Sequence, residues 1–428
     1  MNSSTDNLQV YLVGGAVRDE LAGLPVSDRD WVVVGHTVEE MLDRGFRPVG
    51  KSFPVFLHPT TNEEYALARK EKKVGKGYGG FETISDPSIS LEEDLARRDL
   101  TINAIARDNS GLLIDPYDGK GDLEAGLLRH VSTAFAEDPL RVLRVARFAA
   151  RFHAKGFKIH DETMALMREL VESGEVNDLT AERVWQEFLA AMKRPHFSRF
   201  IQELKNCGAL KVILPEVDSL FGVPQTKKYH PEIDTGIHTL MALDAVQNLT
   251  LDPVIIFAVL VHDLGKGVTP ENEWPSHKGH EKAGIPLVEG VCNRLRVGNE
   301  FKKLSRLVCE FHLLHHQFDH LKPAKKLRLL QSLDGFRNPD MVEKFCQACV
   351  ADMRGRLGRD QAADTQRRNI MSALESASSV DAESIATEIK YHAKEKGWPN
   401  AELGGRIADA ITRERISAIK NSGLKETS

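Results

Sequence analysis

The sequence lacks any excess of basic charge. Its 57 lysines and arginines stand against 62 aspartates and glutamates, a net charge of −5 over 428 residues. No global positive field therefore draws the chain to nucleic acid, and an RNA-binding role needs basic residues gathered on one face. Long apolar runs are missing too. The longest, Val254 to Val261, falls far short of the roughly 20 residues that a membrane-spanning helix needs. The first residues, MNSSTDNLQ, are polar and hold no apolar core of a secretory signal. Cysteine is scarce and unpatterned. Five residues, at 207, 292, 309, 346 and 349, are odd in number and scattered, which excludes a disulfide framework and points to reduced thiols in a cytoplasmic protein. Cys346 and Cys349 read as packing residues of a helix. What remains, 41% hydrophobic and 28% charged, is ordinary for a soluble globular chain with room for two to four domains.

The most informative stretch runs from Tyr11 to Asp30. Tyr11 to Val13 reads as a buried strand. Gly14 and Gly15 follow, where the chain can turn tightly and a ligand can approach bare backbone. Ala16 to Ala22 reads as a helix, whose N-terminal N–H groups suit a phosphate. Arg18 sits in its first turn, an unfavourable place for a cation unless an anion lies there too. Asp28-Arg-Asp30 precedes the β-rich run Trp31 to Gly35. If both aspartates open that strand, their side chains leave one face and repel each other unless a cation lies between them. Hard oxygen ligands of this kind suit Mg²⁺ carried with a nucleoside triphosphate.

This order of strand, Gly-Gly, Arg and Asp-x-Asp resembles the nucleotidyltransferase head of the DNA polymerase β superfamily. It is most similar to the class II branch, which holds CCA-adding tRNA nucleotidyltransferases and bacterial poly(A) polymerases. The resemblance implies an α+β fold, a small mixed β-sheet head followed by all-α neck, body and HD/tail domains. It also implies that Asp28 and Asp30 are catalytic and hold Mg²⁺. Glu64, in the probable strand Glu63 to Arg69, fits the position of a third acidic group, with Glu63 a rival. Residues 70–82, KEKKVGKGYGGFE, read as a flexible basic loop.

Leu91 to Ala106 reads as a helix, acidic at its start and basic later. Within it Arg97-Arg-Asp-Leu-Thr-Ile-Asn103-Ala matches a class II motif, with Leu100 where the family has Phe. By resemblance Arg98 contacts nucleotide phosphates, and Asp99 and Asn103 lie near the ribose. Further on, Arg141, Arg144, Arg147 and Arg151 step by three, three and four and share one helix face. No acid occurs from Pro139 to His160, so the stripe calls for a ligand to neutralise it. The motif Glu-Asp138-x-x-Arg141-x-x-Arg144-x-x-Arg147-Phe reads the incoming base in class II enzymes. An aspartate can accept from the amino group of cytosine or adenine, and an arginine can donate to the adjacent ring nitrogen. Asp138 and Arg141 would thus admit C and A and reject U and G. Gly14, Gly15, Arg18, Arg98, Arg144 and Arg147 would hold the triphosphate.

Later residues carry a different signal: His238, the doublet His262-Asp263 after an apolar run, and Asp352. This set resembles the HD phosphohydrolase domain, where it ligates one divalent metal. Imidazole with carboxylate suits Ni²⁺, Mn²⁺ or another transition ion. His277, His280, His312, His315 and His316 add local density; they read as ordinary surface histidines, with groups that contact phosphate or support the metal ligands as the alternative. The resemblance divides the chain into a head (1–135), a neck (136–185), a body (186–228), an HD domain (229–360) and a helical tail (361–428). It implies template-free addition or repair of the tRNA 3′-terminal CCA from CTP and ATP, with phosphatase, 2′,3′-cyclic phosphodiesterase or 2′-nucleotidase activity in the HD domain. The implied partners are tRNA, CTP and ATP, with no membrane, the chain acting as a monomer or weak homo-oligomer. A poly(A) polymerase, a CC-adding or A-adding enzyme, or an HD phosphohydrolase with an RNA-binding head are the alternative readings.

Overall fold

The protein, a computed structural model described over residues 4–49, 55–73, 81–396 and 398–422, divides into two compact units. One comprises Met1–Ala191 with Arg199–Ile213, the other Met192–Ser198 with Leu214–Ser428. The first carries a mixed β-sheet and helices and the second is built of helices, the α+β arrangement implied by the sequence.

In the first unit the described strands are β1 (Gln9–Val13), β2 (Asp30–Val34), β3 (Arg47–Val49), β4 (Val55–Leu57), β5 (Glu64–Leu67), β6 (Arg69–Lys73), β7 (Phe81–Ser85), β8 (Ala106–Asp108), β9 (Leu113–Ile114), β10 (Leu127–Leu128) and β11 (Lys158–Ile159). Seven form one sheet in the order β3-β4-β5-β2-β1-β8-β9. Within this sheet only β2 and β5 run parallel. Strand alternation divides the apolar residues between two cores. Val33 packs with Met41, Phe46, Phe56 and Leu67 on one face. Val32 packs with Val13, Leu95 and Ala104 on the other. Asp30, two residues before Val32, belongs to this second face.

Two sequence expectations change here. The strands β6 and β7 pair as an antiparallel ribbon, Arg69 opposite Ser85 and Lys73 opposite Phe81. Both ends of the 70–82 stretch are thus strands, because hairpin pairing outweighs a loop-like composition. Its glycine-rich centre, 74–80, lies outside the described residues. The helix expected over 91–106 stops at Ala96. Leu100 then takes an extended backbone and bridges His130, so Arg97 to Asn103 lie in a turn and a short 3-10 segment rather than on a helix face.

In the second unit the helix Pro253–Val261 is buried on every side, as its uninterrupted apolar run requires. The helices Thr235–Gln247, Asn299–His316 and Pro339–Arg354 pack around it. His238 lies in the first of these and Asp352 in the last, and His262 directly ends the central helix. These sequence-distant residues arrive together because the apolar helix is packed between the helices that carry them.

Candidate active site and metal centre

The parallel pairing of β2 with β5 sets Asp30 directly opposite Glu64 in register. Both line a cavity of about 440 Å³, floored by Val13, Val32 and Ala66 and walled by Arg97, Arg98, Arg141, Arg144 and Arg183. Glu63 instead accepts from the Trp31 indole at 3.2 Å, so Glu64 is the residue that faces the cavity. Asp28 precedes β2 rather than opening it, and its carboxylate accepts from Ser27 Oγ at 2.9 Å. Partial desolvation raises the Asp30 carboxyl above its usual value, Arg98 pulls it down and the nearby Asp28 charge pushes it up. A carboxylate raised in part by a second carboxylate's charge fits a divalent cation. Among the described residues Asp28, Asp30 and Glu64 are not drawn into one tight ligand cluster; such clusters occur only in the second unit.

Gly14 has a left-handed backbone, φ +67°, and a Cβ there would meet Arg98 Nη1 at 2.8 Å. The glycine therefore makes room for the arginine against the first helix, Gly15–Leu21. Arg97 and Arg98 are oriented by Asp94, a fully buried carboxylate at 2.7 and 3.2 Å from them. Burial favours protonation of Asp94, but the two guanidinium groups outweigh it and hold the carboxyl below its usual range.

The arginine stripe lies on the helix Leu140–Arg151, with Val142, Val145, Ala146 and Ala149 buried behind it. The chain itself supplies the acids that the sequence reading assigned to a ligand. Arg144 pairs with Asp99 at 2.7 Å, Arg147 with Glu187 at 2.5 Å and Arg151 with Asp19 at 2.7 Å. Those partners lie 45, 40 and 132 positions away, beyond any local window. Arg141 is buried and donates to the carbonyls of Ala134 and Arg97. The anion beside Arg18 is likewise internal. Arg18 is buried, donates to Asp19 at 2.8 Å and to Asn103, and lies over the rings of Phe148 and Phe152. Asn103 passes the chain on to Asp99 at 2.8 Å. Gly15, Arg18, Asn103 and Arg147 do not line the cavity, whereas Arg98, Asp99, Asp138, Arg141 and Arg144 do.

Asp138 caps Leu140 N with one oxygen at 3.1 Å and accepts from Arg183 at 2.8 Å with the other. Arg183, Asp94 and Glu187 have no assigned role in the sequence reading. Arg183 stands at the start of a helix, Ala181–Met192, where nothing local marks it as facing Asp138.

In the second unit His238, His262 and Asp352 converge, all buried. His238 Nε2 is 3.0 Å from Asp352 Oδ1 and His262 Nε2 is 4.0 Å from the same oxygen. His262 Nδ1 donates to the Val259 carbonyl at 2.7 Å, which leaves Nε2 as the free lone pair. That nitrogen lies 3.2 Å from Asp263 Oδ2 yet in no hydrogen-bond geometry. Two imidazole nitrogens and a carboxylate oxygen that converge in the interior fit a metal ion. The sequence reading grouped Asp263 with these three; its other oxygen faces His280 and His312 instead. The five extra histidines are not surface residues. His277, His280, His312 and His315 are buried and His316 is half-buried, contacting Asp352 at 2.5 Å. Burial pushes His312 down to about 3. Lys266, unremarked in the sequence, reaches Asp263 Oδ2 and Gln225 at 2.6 Å each. Gly265 lets this happen: a Cβ there would lie 1.9 Å from the His280 carbonyl.

Comparison with known proteins matches domains in both units. Residues 10–129 match the poly(A) polymerase head domain, 156–221 the probable RNA and SrmB-binding site of polymerase A, and 235–338 the HD domain. Among solved structures, a CCA-adding enzyme in apo form II is similar over 98% of this chain and 93% of its own, at 18% identity and a TM-score of 0.64. The Thermotoga maritima CCA-adding enzyme complexed with tRNA is similar over 98% and 92%, at 18% identity and a TM-score of 0.58. These likenesses show the fold, and the class is a nucleotidyltransferase head joined to an HD domain. A Multifunctional CCA protein from Teredinibacter turnerae is 50% identical over 96% of this chain and 98% of its own. The chain belongs to the multifunctional CCA protein family. No helix among the described residues is long and apolar enough to cross a membrane.

Proposed function

We propose that the chain completes or repairs the 3′-terminal CCA of tRNA without a nucleic acid template, taking CTP and ATP in the arginine-walled cavity. The pairing of Asp30 with Glu64 at its mouth carries this reading. The enzyme is a nucleotidyltransferase dependent on divalent metal, with Asp28 and Asp30 holding Mg²⁺ and Glu64 beside them. When bound, the metal stabilises charge on the α-phosphate and on the attacking 3′-hydroxyl. Arg98 and Arg144 receive the triphosphate over the Gly14-Gly15 turn. Arg18 and Arg147 act from behind, fixing Asn103, Asp99 and Glu187. Asp138 and Arg141 set base choice, with Arg183 holding the Asp138 carboxylate in place. Phosphate contacts position the nucleotide and edge contacts select it. The proposed division follows the head, neck, body, HD and tail boundaries given above, in a cytoplasmic monomer or weak homo-oligomer.

The HD unit acts as a metal-dependent phosphohydrolase on phosphomonoesters or cyclic phosphates, its metal held by His238, His262, Asp263 and Asp352, with Ni²⁺ or a similar transition ion favoured by the imidazole donors. The deciding experiment incubates tRNA lacking its 3′ end with labelled CTP, ATP or both and sequences the products. Stepwise C, C, A addition is expected. Runs of A, or addition of only one nucleotide type, would replace this reading with a poly(A) polymerase or a partial enzyme.

A further inference from the structure

We propose that the histidine–aspartate centre of the second unit holds two divalent transition metal ions rather than one, the second bound by Asp263, His280 and His312. This rests on the reading of that unit as a metal phosphohydrolase and extends it.

The tautomers are set by the backbone. His280 Nδ1 faces the His277 carbonyl at 2.9 Å, and His312 Nδ1 faces the carbonyls of Val308 and Cys309 at 3.1 and 3.2 Å. Each Nδ1 must therefore carry the hydrogen, and each neutral ring presents a bare Nε2 lone pair. Those two nitrogens face each other at 3.3 Å. Asp263 Oδ1 lies 3.3 Å from one and 3.6 Å from the other, and it has no hydrogen-bond partner. Three acceptors thus converge in the protein interior with no donor among them. Such an arrangement is repulsive unless a cation occupies its centre.

The spacing suits a metal. Two imidazole nitrogens bound at about 2.1 Å with a tetrahedral angle stand roughly 3.4 Å apart. The three separations fall close to that value. Asp263 also joins the two groups, because its Oδ2 points the other way, toward His262 Nε2 at 3.2 Å. That oxygen also accepts from Lys266 Nζ at 2.6 Å, and the carboxylate reaches from one group to the edge of the other, as one that bridges a metal pair would. A pair of ions can hold both the attacking and the leaving oxygen of a phosphate ester.

The test strips the full-length protein with a chelator and dialyses it against Ni²⁺ in excess Mg²⁺, which keeps the oxygen-ligand head site filled. Elemental analysis should then find two bound Ni²⁺ per chain, and one in a His280→Gln/His312→Gln variant. A single equivalent in the wild type overturns the second site but keeps the phosphohydrolase reading. None at all overturns both. Because the variant depends on folding, the wild type is also loaded with Mn²⁺ and examined by electron paramagnetic resonance. An exchange-coupled signal is expected, and its absence at saturating Mn²⁺ overturns the proposal.

Discussion

Asp99 and Arg144 form a 2.7 Å ion pair between a turn of the head and the arginine helix. The same aspartate accepts from the Asn103 amide, and Asn103 accepts from Arg18. The polar chain continues through Asp19 to Arg151 at its other end. A stripe of arginines that looks unpaired along the sequence is one half of a cross-chain lattice.

Asp30, which lines the cavity, and its neighbour Asp28 should be essential to addition and dispensable to folding. Asp30→Asn or Asp28→Asn is expected to abolish CTP incorporation into tRNA lacking its CCA, while the melting temperature stays within a few degrees of the wild type. Asp30 is exposed and desolvation raises its carboxyl, so neutralising it removes no buried pair. Normal turnover by either variant would remove both from the metal site.

Base choice should depend on Arg183 as well as on Asp138. Arg141 holds two backbone carbonyls, so Arg141→Ala will lose stability and selectivity together. Arg183→Ala is the cleaner probe, since it frees the Asp138 carboxylate to wander. A bidentate edge contact gives about 1–3 kcal/mol of discrimination, so UTP and GTP misincorporation should rise roughly 10- to 100-fold. Arg144→Ala should instead weaken CTP and ATP alike. Single-nucleotide incorporation with all four triphosphates separates the two; unchanged C and A selectivity in Arg183→Ala would sink the role.

Arg18 should matter through the fold. Arg18→Ala leaves Asp19 with a single cationic partner and Asn103 without its donor. Breaking a buried pair costs about 3–5 kcal/mol, to be read by chemical denaturation of the whole chain. KM for CTP in the surviving folded enzyme should change little; a large KM rise at unchanged stability would return Arg18 to the triphosphate.

Acid should loosen the first unit through Asp99. Burial works against its ionisation, but Arg144 and the Asn103 amide hold it well below the usual carboxylate range. As pH falls below the ordinary aspartate value of about 3.9, the unfolded chain gains a proton that the folded one refuses. Stability contributed above that value is therefore lost as pH drops toward the depressed folded value. Asp99→Asn should be less stable at neutral pH and show a flatter stability profile in that acidic window. An unchanged acid slope would mean other carboxylates carry it.

The two activities should separate by mutation. His262→Ala should remove phosphatase and cyclic phosphodiesterase activity while CCA addition continues, because the ligand sets lie in different units. Chelation followed by Ni²⁺ should restore the hydrolytic activity in the wild type. Loss of addition in a folded His262→Ala protein would show that the units depend on each other.

Much of the fold could be read from local pattern. The Gly-Gly turn, the Asp-x-Asp strand and the apolar helix before His262 each announce themselves through spacing alone. What could not be read is pairing. Glu187, Asp19 and Asp99 neutralise arginines 40 or more positions away, and a window that scans one helix sees only the bare stripe. His280 and His312 looked like surface residues because polar periodicity on a helix says nothing of what packs on it. Gly265, by admitting the His280 backbone, decides their burial. The helix expected over 91–106 failed for a similar reason: a long-range bridge from Leu100 to His130 overrides a favourable charge gradient.

The polar chain from Arg151 through Asp19, Arg18, Asn103 and Asp99 to Arg144 has an implication for how such enzymes can be recombined. It begins and ends on the arginine helix and runs through four residues of the sheet-bearing head in between. A head cut off near residue 135 would keep Arg18 with Asp19 and Asn103 but forfeit Arg144 and Arg151, the helix cations that pair with Asp99 and Asp19. A foreign neck would have to present the same cations at matching turns. The inheritable module is therefore the head together with its arginine helix, and swaps that join chimaeras after residue 151 should yield folded catalysts where joints at 135 yield insoluble protein.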